Sequence, residues 1–170
     1  SRSPREAFVR AGKINTDDLI SPLRASLAGN PRIYGQYFAL DNDEFFQIIA
    51  VRGKPRVVES LHAPAETDIA VRRIVHDGLQ NEHWQFFDKN QQLLDERSSK
   101  ANYTPTSRPW YVGAHREGRV HFTEPYVFAS TGDPGVTISA PLPDQAGVFG
   151  TDIDLGDLND FLARLPLTPN

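Results

Sequence analysis

The chain of 170 residues contains no cysteine and no methionine. The first absence excludes disulfide scaffolds, thiolate zinc sites, cysteine nucleophiles and iron–sulfur clusters together. It leaves the redox compartment open, because an extracytoplasmic domain also folds without disulfides. With no methionine there is no natural start, and the opening Ser1-Arg2-Ser3-Pro4 reads as the edge of an excised piece. An apolar signal-peptide stretch is missing at this end too. Basic charge is scarce: 18 Lys and Arg stand against 22 Asp and Glu, a formal net charge of −4. A nucleic-acid partner is therefore not expected, since such proteins meet phosphates with a basic patch or stripe. Nor is there an apolar run of about 20 residues, the length a membrane-spanning helix needs. What is present is an ordinary globular composition, 39% hydrophobic and 24% charged, at a length suited to one core.

No repeat or low-complexity tract divides the chain. A helix is expected over residues 8–27, where Leu19, Leu23 and Leu27 recur at spacing four behind Thr16 and Asp17 as caps, with Gly29-Asn30-Pro31 as a stop. From Arg32 the period becomes two. Residues 33–40 and 44–51, aromatic and β-branched around Asp41-Asn42-Asp43, predict a hairpin. Residues 56–61 read as a further short strand, and 68–75 and 82–88 as two more around Asp77-Gly78. The polar stretch 95–107 is expected to be a long loop. Pro109 suits the first position of a short helix running through Trp110, Tyr111 and Ala114 to Gly118. Strands follow over 120–128, 136–140 and 148–155, with turns at Gly132-Asp133-Pro134-Gly135 and at 143–147. A closing helix capped near residues 154–157 carries Leu158, Phe161, Leu162 and Leu165 as a stripe and stops at Pro166. Hairpin-sized spacings demand antiparallel neighbours, so the fold class is α+β, a sheet of about five to seven strands with helices beside it. The 95–107 loop and the Pro109 helix would cover one sheet face, and a covered face is a place for a pocket.

The densest chemistry lies in Tyr103-Thr104-Pro105-Thr106-Ser107-Arg108-Pro109-Trp110-Tyr111. A guanidinium fork holds a carboxylate bidentately, while rings supply apolar area and attract a cation through their faces. The same residues also read as an internal ion pair at Arg108 with Trp110 and Tyr111 as core. In 148–155, alternation puts Val148, Gly150, Asp152 and Asp154 on one face. Asp152 is a mid-strand carboxylate with a glycine two residues before it, and it points into either solvent or a pocket. Asp154 reads as the cap of the last helix. The histidines 62, 76, 83, 115 and 121 show no ligand pair at helical spacing, so no metal site is expected. Without a Gly-x-Ser-x-Gly elbow or a glycine-rich phosphate cradle, no catalytic residue and no cofactor is assigned. Asp41, Asp43 and Glu44 lack the glycine and distant glutamate of a calcium loop and read as solvated hairpin residues.

Arg108-Pro109-Trp110-Tyr111, Thr123-Glu124-Pro125-Tyr126, Gly135-Val136-Thr137-Ile138-Ser139 and Gly147-Val148-Phe149-Gly150-Thr151-Asp152-Ile153, in this order, resemble the second half of a Cache sensor domain. The likeness is greatest to the membrane-distal module of a double Cache receptor, and the hairpin at 34–51 is similar to that module's first two strands. The resemblance implies a PAS-like antiparallel sheet over a covered ligand pocket. It implies a truncated N-terminal signalling helix at 1–30, a ligand-binding domain at 31–165 and a linker to a following module at 166–170. By position, Tyr103, Arg108, Trp110, Tyr111 and Tyr126 would hold a ligand's carboxylate end and Asp152 its ammonium. Where amino-acid-binding members carry a second carboxylate this chain has Phe128, so an organic acid or other small polar metabolite stands beside an α-amino acid as the expected ligand. The implied function is a non-enzymatic, extracytoplasmic small-molecule sensor, periplasmic or on the cell surface, of a membrane-anchored bacterial receptor. Its output would be a histidine kinase, a cyclase, a diguanylate enzyme or a chemotaxis transducer, and a homodimer would form through the N-terminal helix. Against it stand an orphan interaction module without a ligand and a hydrolase using Asp152 and a histidine.

Overall fold

Leu19, Leu23 and Leu27 lie one turn apart along helix α1 (Asp17–Gly29), and all three are buried, Leu23 completely. The computed structural model describes residues 15–76, 79–128 and 132–156. Thr16 holds the N-cap position of α1, but its hydroxyl makes no capping bond. It accepts Arg73 Nε–H at 2.8 Å instead, and Asp17 in the first turn pairs with the same guanidinium at 2.7 Å.

The leucine stripe rests on an antiparallel sheet of nine strands among the described residues. They are β1 (Ile33–Leu40), β2 (Phe45–Ala50), β3 (Ile69–His76), β4 (Gln80–Phe87), β5 (Leu93–Lys100), β6 (His121–Phe122), β7 (Tyr126–Val127), β8 (Pro134–Pro141) and β9 (Gly147–Asp154). The order is β5-β4-β3-β2-β1-β9-β8-β6, with β7 also on β8. Strands β1 to β5 pair in chain order, β6 and β7 both pair with β8, and β9 returns to lie between β8 and β1, bringing the last described strand against the first. Helix α2 (Pro55–Leu61) follows β2, and a 3-10 turn (Pro105–Ser107) leads into helix α3 (Pro109–Glu117).

Three expectations change. Residues 56–61 form α2 rather than a strand: Pro55 opens the helix, and Val57 and Leu61, both buried, sit four apart on one face. The adjacent β-branched pair Val57-Val58 masked that helical period. Residues 95–107 are not one long loop, because 93–100 pair along β4 as the edge strand β5. Every residue of β5 except Asp95 is exposed, so no apolar alternation marks the strand, and its charges suit an edge that must not pair further. Arg97 fixes it by donating to the Leu61 and His62 carbonyls at 2.9 and 2.7 Å, at the C-terminal end of α2. The strand count rises to nine for this reason and because 120–128 splits into β6 and β7 around Pro125. The closing helix expected to start near residues 154–157 begins at 155–156, where Asp154 Oδ1 accepts the Gly156 N–H at 2.6 Å; the rest of it and the Asp77-Gly78 turn lie outside the described residues.

The sheet separates two apolar layers. On one face α1 packs on Phe38, Phe46, Ile48, Ile69 and Val71. On the other, α3 brings Trp110, Tyr111 and Ala114 onto Tyr37, Phe45 and Val148, while α2 brings Val57 and Leu61 onto Tyr34, Ile49 and Phe86. Tyr126 touches both of these clusters, and the candidate site lies at the seam between them.

Candidate functional site

At the centre of the sheet β1 sets Tyr37 opposite Gly150 and Gly35 opposite Asp152, while β8 sets Thr137 opposite Asp152. Asp152 is 3% exposed and faces the seam, not solvent. A Cβ at Gly150 would stand 2.4 Å from the Tyr37 ring, so the space this glycine leaves is taken by that ring. Tyr37 thereby reaches over β9 to donate its hydroxyl to Asp152 Oδ1 at 2.5 Å. The Thr137 hydroxyl donates to the same oxygen at 2.6 Å. Having spent its one proton there, Thr137 accepts from Tyr126 OH at 2.7 Å. The resulting chain, Tyr126 to Thr137 to Asp152 with Tyr37 beside it, leaves Oδ2 out of these bonds. Burial lifts the Asp152 carboxyl from 3.8 to about 7, the two hydroxyl donors pulling the other way. Burial also raises Tyr37 well above its ordinary value, with the Asp152 charge adding to it.

Arg108 sits in extended conformation immediately before Pro109, where the 3-10 turn gives way to α3. Its Nε is buried and has no hydrogen-bond partner. Its guanidinium carbon lies 5.7 Å from the Tyr103 ring centroid and 6.0 Å from that of Tyr126. Thus no carboxylate among the described residues forms the internal ion pair that was the alternative role for Arg108. An unpaired buried donor costs about 1–3 kcal/mol, and a carboxylate acceptor would recover it.

Tyr37, Tyr103, Arg108, Tyr126 and Asp152 line a small, partly open cavity of ≈ 20 Å³, room for about one water molecule. Of the residues chosen from sequence, Tyr103, Arg108, Tyr126, Phe128 and Asp152 line it. Trp110 and Tyr111 do not. Trp110 packs edge-on to Tyr37 at 4.7 Å and donates Nε1–H to Tyr103 OH at 3.4 Å, so it supports the wall from behind. Tyr111 turns away and donates its hydroxyl to Asp41. Phe128 stacks on Tyr34 at 5.3 Å and meets Tyr126 edge-on at 5.5 Å. Beside it, a Cβ at Gly135 would come within 2.0 Å of the Phe128 ring, so only glycine admits this packing.

The rest of the wall, Tyr37, Phe45, Gln47 and Arg72, escaped sequence reasoning. Arg72 is ion-paired to Glu82 and surrounded by the rings of Phe45, Trp84 and Tyr103 at 5.7, 5.3 and 4.7 Å. The available signal was polarity at inward positions: Gln47 between Phe45 and Ile49, and Arg72 between Ala70 and Ile74, interrupt otherwise apolar faces. Among the described residues no three His, Asp or Glu side chains gather as metal ligands, and no helix is long and apolar enough to cross a membrane.

A PAS-like antiparallel sheet with a polar cavity at its centre and a short helix over one face defines a sensor domain of the Cache class. The chain belongs to the methyl-accepting chemotaxis protein-like, first PDC sensor domain family, whose sequence model matches residues 19–160. Adenylate cyclase 1 of Rhizobium meliloti is 31% identical over 156 residues, a match covering 89% of this chain and 23% of that protein. The fold is shared with the ligand-binding domain of the Campylobacter jejuni chemoreceptor Tlp3 in complex with 4-methylisoleucine, at TM-score 0.55 and 13% identity over 96% of this chain and 51% of that one. It is shared also with the ligand-binding domain of the Pseudomonas fluorescens chemoreceptor CtaA in complex with L-alanine, at TM-score 0.53 and 18% identity over 94% of this chain and 50% of that one. The chain thus spans under a quarter of the cyclase and about half of each solved domain.

Proposed function

We propose that this chain is the outer, ligand-sensing module of a bacterial transmembrane receptor and binds a small carboxylate-bearing metabolite, an amino acid or an organic acid. The observation that carries this is the buried Arg108 Nε without a partner, in one cavity with Asp152. Arg108 receives the acid group, Tyr103 and Tyr126 wall it, and Asp152 Oδ2 takes an ammonium or other donor. Structures of the same fold that hold 4-methylisoleucine and L-alanine support this ligand size and chemistry. Trp110 and Tyr111 act at one remove, by fixing α3 and Tyr103.

An amino acid is several times larger than the one water the cavity admits, so binding requires the segment carrying Tyr103, Arg108 and Tyr126 to withdraw from the sheet. Ligand thereby selects a different placement of that cover, and β1, which carries Tyr37, passes the change to α1 packed on its other face. In this scheme α1 belongs to the signalling segment that also pairs two copies, the sheet and its cover bind the ligand, and the output domain lies across the membrane. The cavity's small volume and the Phe128 ring in its wall favour a second reading, an orphan module that signals through a partner protein.

A thermal-shift screen of amino and organic acids on the wild type and Arg108→Ala separates the two. We expect at least one acid to raise the wild-type melting temperature by several degrees and to leave Arg108→Ala unmoved. A hit whose affinity survives that substitution removes Arg108 as the anchor, and a screen without hits supports the orphan module.

A further inference from the structure

Gln47 lines the cavity, is 4% exposed, and its side-chain oxygen is buried with no hydrogen-bond partner. Unmet acceptors of this kind are rare in folded proteins and costly to keep. The strand register fixes where this one stands. Gln47 lies opposite Tyr37 on one side and Arg72 on the other. Tyr37 is in turn opposite Gly150, two residues before Asp152 on β9. Strands lie about 4.8 Å apart, so Gln47 is roughly 10 Å across the sheet from the Asp152 strand. A ligand anchored at Arg108 and Asp152 therefore extends its other end toward Gln47 and Arg72.

The chemistry at that far end is restrictive. Gln47 Oε1 requires a donor, which an alkyl or carboxylate side chain does not supply. The Arg72 guanidinium beside it repels a ligand cation, and its own charge is already met by Glu82. A neutral group with both a donor and an acceptor answers Gln47 and Arg72 together, and a carboxamide does so in either orientation of the Gln47 amide. We infer that Gln47 is a specificity-determining residue that selects ligands with an uncharged hydrogen-bonding side chain, carboxamide-bearing amino acids above all. This rests on the carboxylate anchoring proposed above and adds the identity of the distal group.

The test is calorimetric titration of L-glutamine, L-asparagine, L-norvaline and L-glutamate into the 170-residue chain and its Gln47→Leu, Gln47→Met and Arg108→Ala variants. The wild type is expected to bind an amide amino acid at least about tenfold more tightly than L-norvaline, because a site built around a hydrogen bond rejects the analogue lacking it. Both Gln47 variants erase that preference yet keep L-norvaline binding, and their unliganded melting temperatures match or exceed the wild type, since an unmet acceptor has been removed. A wild type without amide preference overturns the inference, as does a preference that survives both substitutions. Failure of the anchor looks different: Arg108→Ala then binds all four compounds as the wild type does, or none of them binds the wild type.

Discussion

Asp152 concentrates the electrostatic cost of the site. Unfolded, it ionises near its ordinary value; folded, it keeps its proton up to about pH 7. Between about pH 4 and pH 7 the native state consequently binds more protons than the unfolded one, and the carboxyl's contribution to stability falls as pH rises through that window. Asp152→Asn removes this dependence. Urea unfolding is expected to show the variant gaining on the wild type from about pH 4 to pH 8, by at most roughly 4 kcal/mol for a shift of this size. A difference that stays constant with pH would contradict the buried placement. The same proton bears on binding, since an ammonium requires the ionised form. Affinity for an amino acid should therefore rise with pH toward about 7 and then level off, with proton release visible in calorimetry as a dependence on buffer ionisation heat. An organic acid lacking the ammonium should show the opposite trend or none.

Among the elements, the cover over the cavity is tied to the β1–β2 turn. Asp43 Oδ1 accepts the Thr106 backbone N–H at 3.2 Å and its hydroxyl at 2.6 Å, while Asp41 accepts the Tyr111 hydroxyl. These residues, which in sequence look like solvated hairpin carboxylates, hold the 3-10 turn and α3 on both sides of Arg108. Asp43→Ala is expected to cost on the order of 1–2 kcal/mol and to speed hydrogen exchange across residues 103–112 while leaving α1 unchanged. Exchange that rises equally in α1 would mean general destabilisation instead. Elements with strong periodicity were legible in sequence: the α1 leucines, the hairpin at β1 and β2, α3 behind its proline, and β9 with Asp152. The rest failed for identifiable reasons. β5 lies exposed at an edge and carries no apolar alternation, and the helical spacing of Val57 and Leu61 was hidden by β-branched residues. At the site, Arg108, Tyr103, Tyr126, Phe128 and Asp152 were legible because family resemblance marks them. Gln47 and Arg72 show in sequence only as polar breaks in apolar faces, and that they, Tyr37 and Phe45 meet at one cavity depends on a cross-sheet register that no local pattern reveals.

For the molecule as a whole, the sheet is the shared wall between the cavity on one face and α1 on the other, and the proposed relay runs through it. The inward side chains of β1 reach Asp152 through Tyr37, and its outward Phe38 lies in the cluster that α1 seals. A change on one side of so thin a layer is felt on the other, which is what a sensor requires. All of this depends on Arg108 being the acid anchor. The most direct measurement is a crystal structure of the chain with the tightest compound from the screen. The account predicts the ligand's carboxylate within about 3 Å of Arg108 Nε, its donor at Asp152 Oδ2, and the Tyr103 to Tyr126 cover displaced from the sheet. A ligand whose acid group is held elsewhere, with Arg108 Nε still unpaired, would contradict it.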